Sequence, residues 1–502
     1  MRRIPFNDTY KQWRNRARKY DPESIVRESL RCLREASIDQ VEEFRTAPWR
    51  TLLIVKWVCQ DKYLDGKIAP AITTGQLNDL RQRLWEFPQH LDRSNRETMP
   101  PQLLFRRILR SQKGFQRDIT MSFVREAALL AEQNENYPLR RRFKEKTGFD
   151  VLDFIDLSLA TFGAVIKGNR LLRDDWFSSL HKTYSGALVS AYQSSVSRTY
   201  PELLAFFRAL PDASRKVASE YFEFPVLTRY PFFRTSEGMI CWHPMVFYRG
   251  LEDFVHSVMS EEGQDYIGPF SKLFERHVVA ESRKVPTRFI GEDDLREHIA
   301  PKTKVPDGLL SFRDCNVFVE SKAALFNESA MTVGHRKYFA RMTRPIPAAV
   351  EQAWATSVSL REQRSAPADV LNADTDYLLV VTNKELAPTR GTALASMYPK
   401  GTLDYPNAEA ERLLPLSRVY VLAIDEFERL TNAAASAQVD MPAFLASCVE
   451  HDKTPVQSVH LFEQHLDRQQ VRSNYSDLVE RAFDNGMSRI EKTLSASTGI
   501  LR

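Results

Sequence analysis

Two apolar runs of strand length, Asp374–Thr382 (DTDYLLVVT) and Ser417–Ile424 (SRVYVLAI), limit the folds open to this chain. Neither alternates apolar with polar residues. A strand that is apolar on both faces has to be covered on both faces, as buried strands of parallel and mixed sheets are. The pattern predicts central strands. The second run leads into Asp425-Glu426-Phe427-Glu428-Arg429-Leu430, a helix start with acids at its positive end. Strands alternating with helices predict an α/β domain, a sheet with helices on both sides.

A third strand-forming stretch is Val305–Ala324, VPDGLLSFRDCNVFVESKAA. It reads as a β-hairpin: Asp307–Phe312, a polar turn over Arg313–Asn316, and a return strand opening with Val317-Phe318-Val319. Alternation puts Glu320 and Lys322 on the face of Phe318, and Ser321 with Val317 and Val319 on the other. A turn centred on Asp314-Cys315 sets Asp307 opposite Lys322 and diagonal to Glu320. Diagonal neighbours lie about 7–8 Å apart at Cα and lean closer at their tips. Two carboxylates so placed suit a hard divalent cation, Mg²⁺ or Mn²⁺. Such an ion acidifies a bound water and neutralises charge on a phosphate, and a lysine beside it adds a compact cation with three donors. The alternative is a surface hairpin on which Glu320 and Lys322 form a solvated pair. The apolar run before Glu320 speaks for the first reading, because charge at the end of a buried strand demands a partner.

Pro306-Asp307, twelve intervening residues and then Glu320-Ser321-Lys322 resembles the PD-(D/E)xK nuclease superfamily, the restriction-endonuclease-like fold. That family carries an acid on the helix before the hairpin. Glu275, within Gly268–Val279, matches it, and Glu281 is the rival acid on another face of the same helix. Many members carry a glutamine on the helix after the core. Gln352, on an expected helix Pro347–Arg361, matches that. The resemblance spans Gly268 to Glu426. It implies a mixed sheet with the metal at one edge and metal-dependent hydrolysis of phosphodiester bonds. Glu275, Asp307 and Glu320 would hold Mg²⁺ or Mn²⁺. Lys322 would position the water or steady the transition state, and Gln352 would orient substrate or water. On the family's balance of activities DNA is expected ahead of RNA, with RNA, structured RNA included, as the alternative. Many members are bacterial enzymes that cut foreign DNA, which suggests defence against phage or plasmids. A non-catalytic nucleic-acid-binding or assembly protein that retains the fold is the competing class, and a subunit that needs a partner ATPase or a trigger is a third.

Basic residues offer places for a polyanion. Within Met331–Arg344 (MTVGHRKYFARMTR), His335, Arg336, Lys337 and Arg341 stand among Tyr338 and Phe339. Cations interleaved with aromatic rings suit a phosphate backbone and an unstacked base, so this patch is the expected nucleic-acid contact. Two other basic regions read either as nucleic-acid faces or as solvated helix surfaces. One is Met1–Tyr20, with Tyr10, Trp13 and Tyr20. The other comprises Arg106, Arg107, Arg110, Lys113, Arg117 and Arg140–Arg142. A net charge of +5 permits a polyanionic partner without demanding one.

A chain of 502 residues is long enough for roughly two to four domains. Residues 1–214 read as an all-helical N-terminal region, with helices over Ser24–Thr46, Gly75–Trp85, Gln116–Ala131 and Val151–Ile166. Residues 215–436 form the expected nuclease core, joined to that region by a strand–turn–strand over Phe222–Phe247. Residues 437–502 form a helical C-terminal extension, over Phe444–His451, Val456–Asp467 and Leu478–Leu494. The helical regions are where a protein partner or a second copy would bind. Five scattered cysteines without a C-x-x-C fit a reducing compartment and exclude a clustered zinc site. The absence of a G-x-x-x-x-G-K-[ST] loop argues against an intrinsic ATPase. No stretch reads as a signal peptide or a bilayer span, so a cytoplasmic protein without a membrane partner is expected.

Overall fold

The computed structural model describes residues 6–35, 47–63, 65–66, 68–85, 87, 101–116, 118–211, 216–300, 303–323, 332, 336–362, 370, 373–454, 456–472 and 475–498. The chain is mixed α/β with two mixed sheets. It divides into two compact units. Met1–Thr98, Arg107–Glu261 and Arg481–Arg502 make the first, and Met99–Arg106 with Glu262–Glu480 make the second. No helix among the described residues is long and apolar enough to cross a membrane.

The first unit is mainly helical, but residues 1–214 are not the all-helical region that the sequence leads one to expect. The strand–turn–strand taken for a join belongs here, as β3 (Phe232–Thr235) and β4 (Gly238–Cys241). Two short strands, β1 (Leu171–Leu172) and β2 (Ser197–Arg198), complete a sheet of order β1-β4-β3-β2. Gly238 makes the close approach to β1 possible. Its φ is +138°, and a Cβ there would stand 2.3 Å from the Leu172 carbonyl oxygen. The helix Val151–Ile166 forms as expected, opened by a capping box between Asp150 and Asp153. The single helix expected over Gln116–Ala131 is instead a 3₁₀ turn, Met121–Val124, followed by Arg125–Ala131. Thr120 accepts the Ser122 N–H and so stops the chain from helical continuation.

Burial reassigns several basic and aromatic residues. Arg106 and Arg107, read as candidate phosphate contacts, are 2 % and 1 % exposed. The Arg106 guanidinium lies 4.6 Å from the Phe339 ring centre. Arg140 is bound to Asp150 at 2.8 Å. Trp13 donates to the Leu80 carbonyl at 3.1 Å and packs edge-on against Trp57 at 5.2 Å. Trp13, one of the three aromatic residues of that basic segment, is therefore core. Side chains that an amphipathic helix offers inward are spent on packing before they can serve a ligand.

The second unit holds a five-stranded sheet of order β5-β6-β7-β8-β9. Its strands are β5 (Arg288–Gly291), β6 (Gly308–Ser311), β7 (Cys315–Lys322), β8 (Thr375–Thr382) and β9 (Val419–Ala423). β5, β6 and β7 run antiparallel, and β8 and β9 add in parallel. The two apolar runs are β8 and β9. Leu378, Val380, Val419 and Val421 face one core with Leu309, Phe318 and the helix Pro345–Glu362. Leu379, Val381, Tyr420 and Leu422 face the other with Val317, Val319 and the helices Gln264–Ser282 and Ile424–Ala435. Both faces are covered, which explains the missing alternation. β9 ends the strand order instead of lying inside the sheet, and Arg390 bridges to Tyr420 on it.

The C-terminal extension is divided. The helices Met441–Lys453 and Glu463–Arg468 supply Met441, Phe444 and Leu466 to the second unit's core, whereas residues from Arg481 onward count with the first unit. Helix over Val456–Asp467 forms only from Glu463.

The hairpin forms, with its turn centre one residue earlier than expected and its pairing shifted by two residues. Ser311 pairs with Asn316 and Gly308 with Val319, so the turn is centred on Arg313-Asp314. Phe312 N–H donates to the Cys315 carbonyl at 3.0 Å. Cys315 is buried in the core beside Val317 and is strand, not turn. Continuing this register sets Asp307 opposite Glu320, where the sequence reading had Lys322.

At the opposite end of β7 and β8, Asp376 is fully buried. It accepts from Arg361 at 2.8 and 2.9 Å and from Asn316 at 3.0 Å. Replacing Asp376 with Ala leaves the Arg361 charge without its partner. We expect a loss of about 3–5 kcal/mol in urea-denaturation stability, and a loss under about 1 kcal/mol would refute the assigned role.

Candidate metal centre

The site forms where β7 outlasts β6. β6 begins at Gly308, while β7 continues through Glu320, Ser321 and Lys322, all paired with Val380–Thr382 of β8. The charged end of the motif is thus held in a strand whose other neighbour has run out. Asp307, just before β6, fills the gap with its side chain. Its Oδ2 accepts the Ser321 N–H at 2.6 Å and the Ser321 hydroxyl at 2.5 Å. Its own N–H donates to Glu320 Oε2 at 3.1 Å.

Three carboxylates meet there. Oxygens of Glu275, Glu292 and Asp307 all lie within 4.8 Å of one another, and each residue is half-buried. Glu275 comes from the helix Gln264–Ser282, in the turn whose Phe274 and Val278 enter the core. Glu292 opens the short helix Glu292–Glu297 directly after β5, and Arg296 pairs with it one turn on. Ligands of octahedral Mg²⁺ sit about 2.1 Å from the ion, so two oxygens of one shell are at most about 4.2 Å apart. The oxygens of the three carboxylates lie close to that spacing. The donor set is all oxygen, the chemistry a hard cation prefers.

Glu320, expected as the third ligand, is not in this cluster. Lys322 Nζ pairs with its Oε1, and its Oε2 accepts from Asp307 N–H and from Gln352 Nε2 at 3.2 Å. Gln352 also donates to the Val305 carbonyl. Local donors have taken both oxygens, and Glu292 stands in the cluster in its stead. Glu320 becomes the hub that gathers Lys322 and Gln352 beside Asp307.

The charges are felt across the whole group. Burial pushes the Glu320 carboxyl from the usual 4.5 up to about 7, with Asp307 adding to the effect and Lys322 opposing it. Burial also raises Glu275, helped by Asp307 and Glu292 and opposed by Lys322. Asp307 is raised by burial, while the two hydrogen bonds from Ser321 pull it back.

Other residues singled out in the sequence stand as follows. Glu281, the rival acid, is buried away from the cluster, paired with Lys284 at 3.0 Å near His277 and Glu428. Arg336, Lys337, Tyr338 and Arg341 lie on the helix Arg336–Met342. Lys337 and Arg341 are exposed, Arg336 and Tyr338 half-buried, and the Arg341 guanidinium sits 4.9 Å from the Tyr338 ring centre. His335 lies outside the described residues. Glu292 escaped the sequence reading. It heads an acidic triplet, Glu292-Asp293-Asp294, which reads as an ordinary helix start. Compared with known proteins, the chain matches no family model, no curated protein and no solved structure.

The raised Glu320 carboxyl sets a pH dependence. Its ionised form weakens the metal-free fold, so the stability present below the ordinary carboxyl range is lost as pH rises through about 7. Glu320→Gln removes this titration. In EDTA, the stability of Glu320→Gln relative to wild type should shift in the variant's favour by on the order of 3 kcal/mol between about pH 4 and pH 8. A difference that does not change with pH in thermal or urea melts would contradict the burial argument.

Proposed function

We propose that this protein is a divalent-metal-dependent nuclease of the PD-(D/E)xK kind, acting on DNA ahead of RNA. The observation that carries the reading is one convergence. Glu275 on one helix, Asp307 before β6, Glu320 and Lys322 on β7 and Gln352 on a second helix interact at one end of a mixed sheet. The order of elements supports it too: a helix with an acid, an antiparallel hairpin, then a helix with the glutamine. The resemblance of the motif to a family with many members that cut foreign DNA suggests foreign DNA as the target, an argument by analogy alone.

Glu275, Glu292 and Asp307 would hold Mg²⁺ or Mn²⁺. When bound, the ion supplies Lewis acidity toward a phosphate oxygen and acidifies a water. Lys322 brings a point charge and three donors to the rim of the cluster, fitted to hold a phosphate oxygen or to orient a water. Glu320 keeps that ammonium in place. Gln352 fixes Glu320 and ties the helix Pro345–Glu362 to the Val305 carbonyl before the motif. The exposed Lys337 and Arg341 would meet the phosphate backbone.

Purified protein is expected to cleave plasmid, single-stranded DNA or RNA with Mg²⁺ or Mn²⁺ and to stop in EDTA. Lys322→Ala should lower the rate by about 100-fold or more. Cleavage that persists in EDTA, or that Lys322→Ala leaves unchanged, overturns the assignment. Binding without cleavage under every condition would point to a nucleic-acid-binding role instead.

A further inference from the structure

We propose that Ser321, the unassigned middle residue of Glu320-Ser321-Lys322, is a positioning residue that clamps the Asp307 carboxylate toward Glu275 and Glu292 and so sets the cation affinity of the site. The inference rests on the metal-centre reading above and adds a residue to it. Alternation alone would dismiss Ser321, because its side chain belongs to the face opposite Glu320. The sheet edge changes its task. Beyond Gly308 there is no β6 residue to take the N–H of half-buried Ser321, and a backbone N–H there needs another acceptor. Asp307 Oδ2 takes that N–H at 2.6 Å and the hydroxyl at 2.5 Å, so two donors from one residue converge on one oxygen.

The clamp answers a specific problem. Without an ion, Asp307 faces Glu275 and Glu292 at oxygen separations within 4.8 Å, and like charges push it away. A carboxylate on two rotatable bonds would swing out of the cluster. Two short hydrogen bonds to a strand that is itself locked to β8 hold it in. Groups that orient a ligand without touching the metal commonly change metal affinity by about 10–100-fold.

The test is Mn²⁺ binding by titration calorimetry on the full chain, comparing wild type, Ser321→Ala and Ser321→Thr. Ser321→Ala keeps the backbone donor and loses the hydroxyl, so Mn²⁺ affinity should fall about tenfold. Ser321→Thr restores the hydroxyl and should return affinity to within about threefold of wild type. Melting in EDTA should be nearly the same for all three proteins. Unchanged affinity in Ser321→Ala, or a Ser321→Thr that binds as weakly as Ser321→Ala, overturns the clamp. So does a metal-free melting temperature of Ser321→Ala that falls in step with affinity, since that marks a general role in folding. A wild type that binds no Mn²⁺ overturns the metal centre itself, which separates the two failures.

Discussion

The site depends on a mismatch of strand lengths. β7 pairs with β8 along its full run to Lys322, but its pairing with β6 stops at Val319. One edge of Glu320-Ser321-Lys322 is therefore locked and the other open. A locked edge holds charged side chains in fixed places. An open edge offers backbone donors that a carboxylate can accept, and Asp307 does so. Equal strands would have sealed that edge with a ladder and left no reason for Asp307 to turn inward.

Acids gathered beside a buried strand carry an electrostatic cost. Four carboxylates, Glu275, Glu292, Asp307 and Glu320, act on one another, and Lys322 is the cation that offsets three of them. Burial raises Glu275, Asp307 and Glu320 in the same direction. An arrangement that destabilises its own charged form is what a cation can relieve, and perturbed carboxyls gathered in one place make a candidate functional site. Contrast Asp376 at the other end of the sheet. It is more deeply buried than Glu275 or Asp307, but Arg361 meets it on two nitrogens, and the pair closes on itself.

The basic residues divide in the same way. Arg106, Arg107 and Arg140 lie inside, and Arg140 has its carboxylate in Asp150. Lys337 and Arg341 remain on the surface. A count of arginines and lysines along the chain does not distinguish these fates, because a helix presents cations inward and outward at intervals of three or four residues. Burial decides which of them a polyanion can reach.

The local chain determined the apolar strands β8 and β9, the helix Val151–Ile166 with its Asp150 cap, and the hairpin, while Asp307, Glu320, Lys322 and Gln352 are singled out by the resemblance of the motif to a nuclease family. Each of those elements follows from a pattern within a few residues, where propensity and periodicity act. Tertiary structure decided the rest. Cys315 moved from turn to strand because a core was there to bury it, and that step set Asp307 against Glu320. Glu292 joined the cluster because β5 pairs with β6 and delivers it, a pairing between successive strands across the helix Glu292–Glu297 that no pattern within one segment records. The hairpin Phe232–Cys241 went to the first unit because β1 and β2 were waiting to pair with it. Local sequence sets what each segment can be. Which carboxylates meet depends on strand register and strand length, and these are fixed only when the sheet and both its cores close together.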